Sequence, residues 1–310
     1  MKILCLTPIK HLDGIYEYLE TFGEVDYKPD FEREDFYGID IHDYDVIFCN
    51  PNKQNYVLDK DILQQGGVWN GTILTASTGL NHINVKYCKN VGIKVLSHKD
   101  DMDLLNKLPS TAELAFGLML SMLRNIPSSF DDVKFGGWDY DKFMGHQLQG
   151  KTIGIIGYGR LGKMLNKYCW VFGMRTMACD PYNDTLNYTL DAVLKNSDII
   201  SLHVHANDET RHMINKKTLG KLKKNSYIVN TSRGEIVNEK DIVQSLRDGH
   251  LKGYATDVIE DEYGNRHKSP ILKGVKEGLN IIVTPHIGGM TWEGQQKAYK
   301  WSISKLGDLK

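Results

Sequence analysis

Short runs of β-branched and apolar residues recur along the chain, separated by stretches in which apolar side chains return at helical spacing. That alternation predicts parallel strands covered by helices, an α/β fold. The candidate strands of the first part are 3–6, 46–49, 73–76 and 94–96; those of the second are 152–156, 175–179, 199–203, 227–230, 254–257 and 281–284. The second set has the strand count of a Rossmann domain. Between the sets, Ser110-Thr111-Ala112-Glu113 reads as a capping box opening a helix that is apolar on nearly every side through Leu123 and stops before Pro127. Such a helix must be buried on all faces; an interdomain core and a subunit interface both satisfy this, and the sequence leaves the two open.

The 310 residues allow two ordinary domains, each with its own core. Lys plus Arg is 38 against 39 Asp plus Glu, so no basic field recommends a nucleic acid or an anionic membrane as partner. The five cysteines are scattered, odd in number and never paired as Cys-x-x-Cys. They read as small buried apolar residues in a reducing compartment. The apolar stretch after Met1-Lys2 is too short for a signal peptide, and 114–123 is about half a membrane span, so the expected compartment is the cytoplasm.

The sharpest motif is Gly157-Tyr158-Gly159-Arg160-Leu161-Gly162, directly after a candidate strand. Gly157 permits the tight strand-to-helix turn, Gly159 lets backbone approach a pyrophosphate, and Gly162 lets the helix pack on the sheet. The amides of Arg160 and Leu161 then face the phosphates, and Tyr158 reads as packing. Asp180 lies 23 residues after Gly157, near the spacing of about 20 expected for an acid on the adenosine ribose. Together they point to a nicotinamide or flavin nucleotide, and the charge of Asp180 favours NAD over a cofactor carrying a 2′-phosphate.

Residues 72–296 resemble the D-isomer-specific 2-hydroxyacid dehydrogenases, the group that contains phosphoglycerate, glycerate, lactate and formate dehydrogenases. The matching segments, in order, begin with Ser77-Thr78-Gly79-Leu80-Asn81-His82-Ile83-Asn84, the helix start Ser110 to Gly117, the glycine motif with Phe172-Gly173-Met174, and Asp180-Pro181. They continue with Asn230-Thr231-Ser232-Arg233-Gly234-Glu235-Ile236-Val237, Asp257 to Glu262, and Thr284-Pro285-His286-Ile287-Gly288-Gly289. The resemblance implies a flavodoxin-like substrate domain from 1–100 and 290–310, an NAD-binding Rossmann domain inserted as 101–289, and substrate in the cleft. It also implies a homodimer formed through the nucleotide domain, and therefore an interface role for the helix at Ala112.

Reducing a 2-oxo acid needs a cation for the carboxylate and carbonyl oxygen, and a proton donor for the developing alkoxide. Arg233 suits the first role, because its guanidinium fork binds a carboxylate bidentately and it follows a candidate strand at the end where ligands bind in open α/β sheets. His286 suits the second, because imidazole gives and takes a proton near neutral pH. The resemblance supplies Glu262 as its carboxylate partner, with Glu260 and Asp261 as close competitors. It also sets Thr231, Ser232 and Asp257 near the nicotinamide, and has Ser77, Thr78 and Gly79 present backbone amides to the substrate carboxylate.

Three departures bear on specificity. His205 stands where relatives usually have proline, and with His203 it makes a His-x-His pair without the acids or cysteines of a zinc site; adenine-side packing is expected and no metal. Residues 97–108 are longer and more acidic than the usual connection, with Asp100, Asp101 and Asp103. After Cys49, the arginine that helps hold phosphate in the phosphoglycerate branch is missing, with Lys53 as the nearest substitute, so phosphoglycerate is one candidate substrate among several. The expected function is an NAD-dependent oxidoreductase interconverting a D-2-hydroxy acid and its 2-oxo acid. The alternative is an NAD(H)-sensing binding protein of the same fold without turnover. A Rossmann methyltransferase would not need Arg233, Glu262 and His286, and formate chemistry has no alkoxide to protonate.

Overall fold

The computed structural model describes residues 1–51, 56–99, 101–262 and 264–309. The chain divides into two units, Met1–Leu108 with Met290–Lys310, and Pro109–Gly289.

In the first unit, β1 (Lys2–Cys5), β2 (Glu24–Tyr27), β3 (Val46–Cys49), β4 (Thr72–Thr75) and β5 (Lys94–Leu96) form a parallel sheet ordered β2-β1-β3-β4-β5. This is the flavodoxin-like order. Alternate residues of one strand point to opposite faces: Leu4, Ile47 and Ile73 pack on one side, Ile3, Val46, Phe48 and Leu74 on the other. Both faces are covered, which is why these strands read as unbroken apolar runs. The sequence pattern does not reveal β2. It is an edge strand with one aliphatic residue, Val25, between Glu24 and Asp26, and none of its residues is fully buried.

Residues 101–108, expected with the nucleotide-binding part, pack in this first unit. Leu104 and Leu105 are buried, and Asp101 forms an ion pair with Lys305 of the C-terminal segment. Of the acids noted there, Asp100 lies outside the described residues, as does Lys53 in the other departure.

In the second unit, β6 (Thr152–Ile156), β7 (Arg175–Cys179), β8 (Ile199–Leu202), β9 (Ser226–Asn230), β10 (Leu251–Thr256) and β11 (Ile281–Val283) form a parallel sheet ordered β11-β10-β9-β8-β6-β7. The six strands match the count read from the sequence, but only β7 lies beyond β6 on that side, one strand fewer than in the usual Rossmann order. The order reverses at β6. Helix Arg160–Val171 buries Leu165 and Cys169 on one face, while helix Leu190–Asn196 buries Val193 and Leu194 on the other. A crevice at the carboxyl end of β6 is the consequence.

Helix Ser110–Leu123 buries Ala115, Leu118, Met119, Met122 and Leu123 against this unit's own sheet and helix Arg160–Val171. The expected burial on all faces is not met: Glu113 and Gly117 are exposed and Leu114, Phe116 and Leu120 half-buried, so one side packs in its own unit and the interface reading stays open. Its expected Ser110 cap differs as well: Pro109 takes the cap position, and its carbonyl accepts from the amides of Ala112 and Glu113. Exposed large apolar side chains outside this helix include Phe130, Phe135, Trp138, Tyr140, Met144 and Trp170. All five cysteines are buried free thiols, and no helix of the described residues is long and apolar enough to cross a membrane.

Candidate active site

Each end of a strand in the second unit contributes one part of the site. At the end of β6, Gly157 adopts φ 91°, and a Cβ there would lie 2.5 Å from the carbonyl oxygen of His203. Only glycine makes this turn. A Cβ at Gly162 would lie 2.3 Å from the Gly157 carbonyl oxygen, so this glycine lets the helix close onto the strand, whereas the space over Gly159 is open. Gly159 caps the helix that starts at Arg160, leaving the first-turn amides of Arg160, Leu161 and Gly162 facing outward. At the end of β7, the Asp180 carboxylate accepts from the amides of Tyr158 at 2.9 Å and Tyr182 at 3.0 Å. An open glycine cradle, a helix N-terminus and a fixed acid beside them form a donor set that fits a dinucleotide.

His203 follows β8. Its Nε2 lies 2.8 Å from Ser201 Oγ, its Nδ1 is enclosed without a partner, and burial pushes the imidazole down to about 4. His205 is exposed, and among the described residues no group of acids, cysteines and histidines could hold a metal ion.

Arg233 is set by the residues around it. Asn230, at the end of β9, accepts from the Ser232 amide at 3.0 Å and donates to the Arg233 carbonyl at 2.9 Å, bracketing the turn. Ser232 Oγ donates to the Leu202 carbonyl at 2.7 Å, and buried Thr231 has a hydroxyl without a partner. Gly234 touches the next segment so closely that a Cβ would lie 2.0 Å from the carbonyl carbon of Ile259. The Arg233 turn and the Glu262 loop thus meet backbone to backbone. Arg233 is half-buried, and among the described residues no carboxylate lies within ion-pair distance of it.

His286 follows β11 with φ 54°, an uncommon conformation for a residue with a side chain. Asp257 holds the loop in that shape. Its Oδ1 accepts from Thr284 Oγ1 at 2.6 Å and the Ile287 amide at 2.8 Å, its Oδ2 from the Gly288 amide at 2.7 Å, and its carbonyl from the His286 amide at 2.9 Å. Burial pushes the Asp257 carboxyl up, opposed by those donors. This anchoring was not visible in the sequence, where Asp257 carried only a nicotinamide role from the resemblance.

His286 Nδ1 lies 2.7 Å from Glu262 Oε1. The competing acids face elsewhere. Glu260 is bound by Arg211 and by His212 Nε2, both at 2.9 Å, and Asp261 turns back to the Asn265 amide at 2.9 Å. In the first unit, Ser77 Oγ accepts from the Gly79 amide at 3.1 Å, while the amides of Ser77 and Thr78 have no partner among the described residues.

Residues 116–288 match the family described as "D-isomer specific 2-hydroxyacid dehydrogenase, NAD binding domain". D-3-phosphoglycerate dehydrogenase of Methanocaldococcus jannaschii is 33% identical over 96% of the chain and 55% of that protein. Hydroxypyruvate reductase of Thermotoga maritima is 36% identical over 76% of each. The chain thus spans about half the length of the phosphoglycerate dehydrogenases it matches. The crystal structure of D-lactate dehydrogenase from Aquifex aeolicus complexed with NAD and lactic acid has a TM-score of 0.81, with 25% identity, covering 100% of this chain and 95% of that one.

The second unit is a nucleotide-binding α/β domain with an imidazole–carboxylate pair at its strand ends. The chain belongs to the D-isomer-specific 2-hydroxyacid dehydrogenase family, and its residues 116–288 to that family's NAD binding domain.

Proposed function

We propose that the protein interconverts a small D-2-hydroxy acid and its 2-oxo acid with NAD. The observation that carries this reading is the His286–Glu262 hydrogen bond of 2.7 Å, on a loop whose backbone abuts the Arg233 turn. With Nδ1 occupied by Glu262, Nε2 is the nitrogen left to serve the substrate. In reduction, bound NADH supplies a hydride to the carbonyl carbon. His286 Nε2 gives its proton to the oxygen, and Glu262 steadies the imidazolium that serves as acid. Arg233 holds the carboxylate and polarises the carbonyl through its fork. Oxidation runs the same steps backwards, with neutral His286 taking the hydroxyl proton.

The amides of Arg160 and Leu161, with Gly157, Gly159 and Gly162, are assigned to the pyrophosphate. Asp180 is assigned to the adenosine ribose, where its charge opposes a 2′-phosphate. Thr231, Ser232 and Asp257 are assigned to the nicotinamide side; for Thr231 the unpartnered buried hydroxyl supports this. Ser77, Thr78 and Gly79 are assigned to the substrate carboxylate, supported by the Ser77 and Thr78 amides, which have no partner among the described residues.

A homodimer is part of this reading. Phe130, Phe135, Trp138 and Trp170, each more than 60% exposed, are apolar side chains that a partner copy would take out of water. The cytoplasm is the compartment proposed, supported by the buried free thiols.

The test is NADH oxidation with a panel of small 2-oxo acids, phosphorylated and not. Turnover of at least one is expected. Tight NADH binding with no turnover across the panel would instead favour an NAD(H)-sensing protein.

A further inference from the structure

Glu239 is a buried carboxylate that the reaction above does not use. It lies six residues after Arg233, in the first turn of helix Glu239–Arg247, and is 3% exposed. Its two oxygens reach two separate points of the chain. Oε1 accepts from the amide of Glu260 at 2.9 Å, and Oε2 accepts from Ser269 Oγ at 2.6 Å. Ser269 in turn caps the helix Pro270–Lys276, accepting from the Ile271 amide at 3.1 Å.

The Glu262 loop lies between these two points. Glu260 opens it and Ser269 closes it, so one carboxylate ties its two ends at the base. Burial pushes the Glu239 carboxyl up, while the Ser269 hydroxyl and the Glu260 amide pull it down. A buried carboxylate is a poor device for stability alone, since an apolar residue of similar shape often serves as well or better. Its two oxygens, fixed on a helix, are a good device for geometry.

We infer that Glu239 is a positioning residue: by tying Glu260 to Ser269 it holds the loop at the width that places Glu262 against His286. The inference rests on reading Glu262 and His286 as the proton-transfer pair. Without the tie the loop spreads, the Glu262–His286 hydrogen bond lengthens, and the imidazole loses both its orientation and its charge partner.

The His286 Nδ1 proton reports that hydrogen bond directly, by proton NMR on the full chain with isotope-labelled histidine, the signal being assigned by its loss in His286→Gln. Glu262→Gln is the reference and should move the signal upfield. Glu239→Gln keeps the shape of the side chain but, with its oxygen on the Glu260 amide, turns a donor towards the Ser269 hydroxyl in place of the acceptor that hydroxyl now has; Ser269→Ala removes one tie and changes no charge. Both should move or broaden the signal towards the Glu262→Gln value and shift the pH profile of reduction the same way. Each should lower kcat by about tenfold, within the cost of up to about 10²-fold for misplacing a catalytic group by an ångström. KM for NADH should stay close to the parent value.

Signal and pH profile unchanged in both variants, whatever the melting temperature does, would overturn the inference. A change in Glu239→Gln with none in Ser269→Ala would mark lost charge rather than lost position, and would overturn it too. If Glu239→Gln fails to fold, Ser269→Ala decides. An unmoved signal in Glu262→Gln itself would sink the proton-transfer pair, and with it the need for a tie.

Discussion

Glu260 and Glu262, two residues apart on one loop, each hold a histidine, and they hold them differently. Glu260 shares a single oxygen between His212 and Arg211, and it takes the imidazole by Nε2. Its charge is already answered by a guanidinium, and the outer ring nitrogen is spent. Glu262 takes His286 by Nδ1, and the outer nitrogen stays available. Proximity of an acid and a histidine is therefore weak evidence of chemistry. What separates the pairs is which nitrogen of the ring is engaged.

The largest effect that tests this contrast is at the histidines. His286→Ala should lower kcat/KM for 2-oxo acid reduction by about two to four orders of magnitude, the usual worth of a positioned acid or base. His212→Ala, removing the other imidazole, should leave it nearly unchanged. Equal losses in the two variants, measured with NADH saturating, would erase the distinction.

Next come the arginines. Arg233→Lys keeps charge but loses the fork, and a charge-assisted hydrogen bond is worth about 1.5 to 3 kcal/mol, so kcat/KM should fall by at least about tenfold while NADH affinity holds. Arg211→Lys is the matched control and should turn over as the parent does. Near-normal turnover in the Arg233 variant would remove that residue from the substrate site.

The acids themselves should show smaller losses. Glu262→Gln leaves a neutral partner beside the His286 ring, and on the proton-transfer role proposed above it should lower kcat/KM for reduction by less than His286→Ala does. Glu260→Gln should leave kcat/KM in place and cost stability only within the 0 to about 1 kcal/mol of an exposed ion pair. A loss of turnover in Glu260→Gln with none in Glu262→Gln would reverse the assignment.

The smallest effect on turnover at neutral pH belongs to histidines with no carboxylate bonded to the ring. Burial pushes His82, His98 and His203 down to about 4 each, His98 helped by Lys305. Between about pH 6.5 and 4 these rings take up protons in the unfolded chain but not in the fold. Stability should therefore decline as pH drops through that window. A urea midpoint that is flat from pH 7 to about 4.5 would show that these rings protonate in place.

The sequence reveals most where the chemistry constrains the backbone. Gly157 and Gly162 are legible because the turn and the helix contact admit no Cβ, and Arg233 because a glycine and a strand end flank it. The choice among Glu260, Asp261 and Glu262 is not legible in the same way, since neighbouring loop acids carry no periodic signal; only the resemblance pointed to Glu262. Asp257 hides its anchoring role for a similar reason, because its three side-chain bonds go to 284–288, far along the chain. The signal that could have exposed Asn230 was local: an Asn before a polar turn commonly bonds two residues on. The helix at Ala112 shows the limit of composition. Its apolar faces announce burial without saying by what, and its own unit covers only the side that carries Ala115, Leu118, Met119 and Met122. Strand β2 is silent because an edge strand need not be apolar.

The five buried thiols make the protein a reporter of its own opening. Burial pushes Cys5 and Cys169 up to about 12 and Cys179 up to about 11, with Cys49 and Cys88 also raised. The native chain therefore offers an alkylating reagent almost no thiolate. Modification must wait for local or global unfolding, so its rate counts opening events. Cys5, Cys49 and Cys88 belong to one unit, Cys169 and Cys179 to the other. Peptide-resolved alkylation then gives two clocks in one molecule, and a ligand that slows one clock and not the other shows which half it has bound.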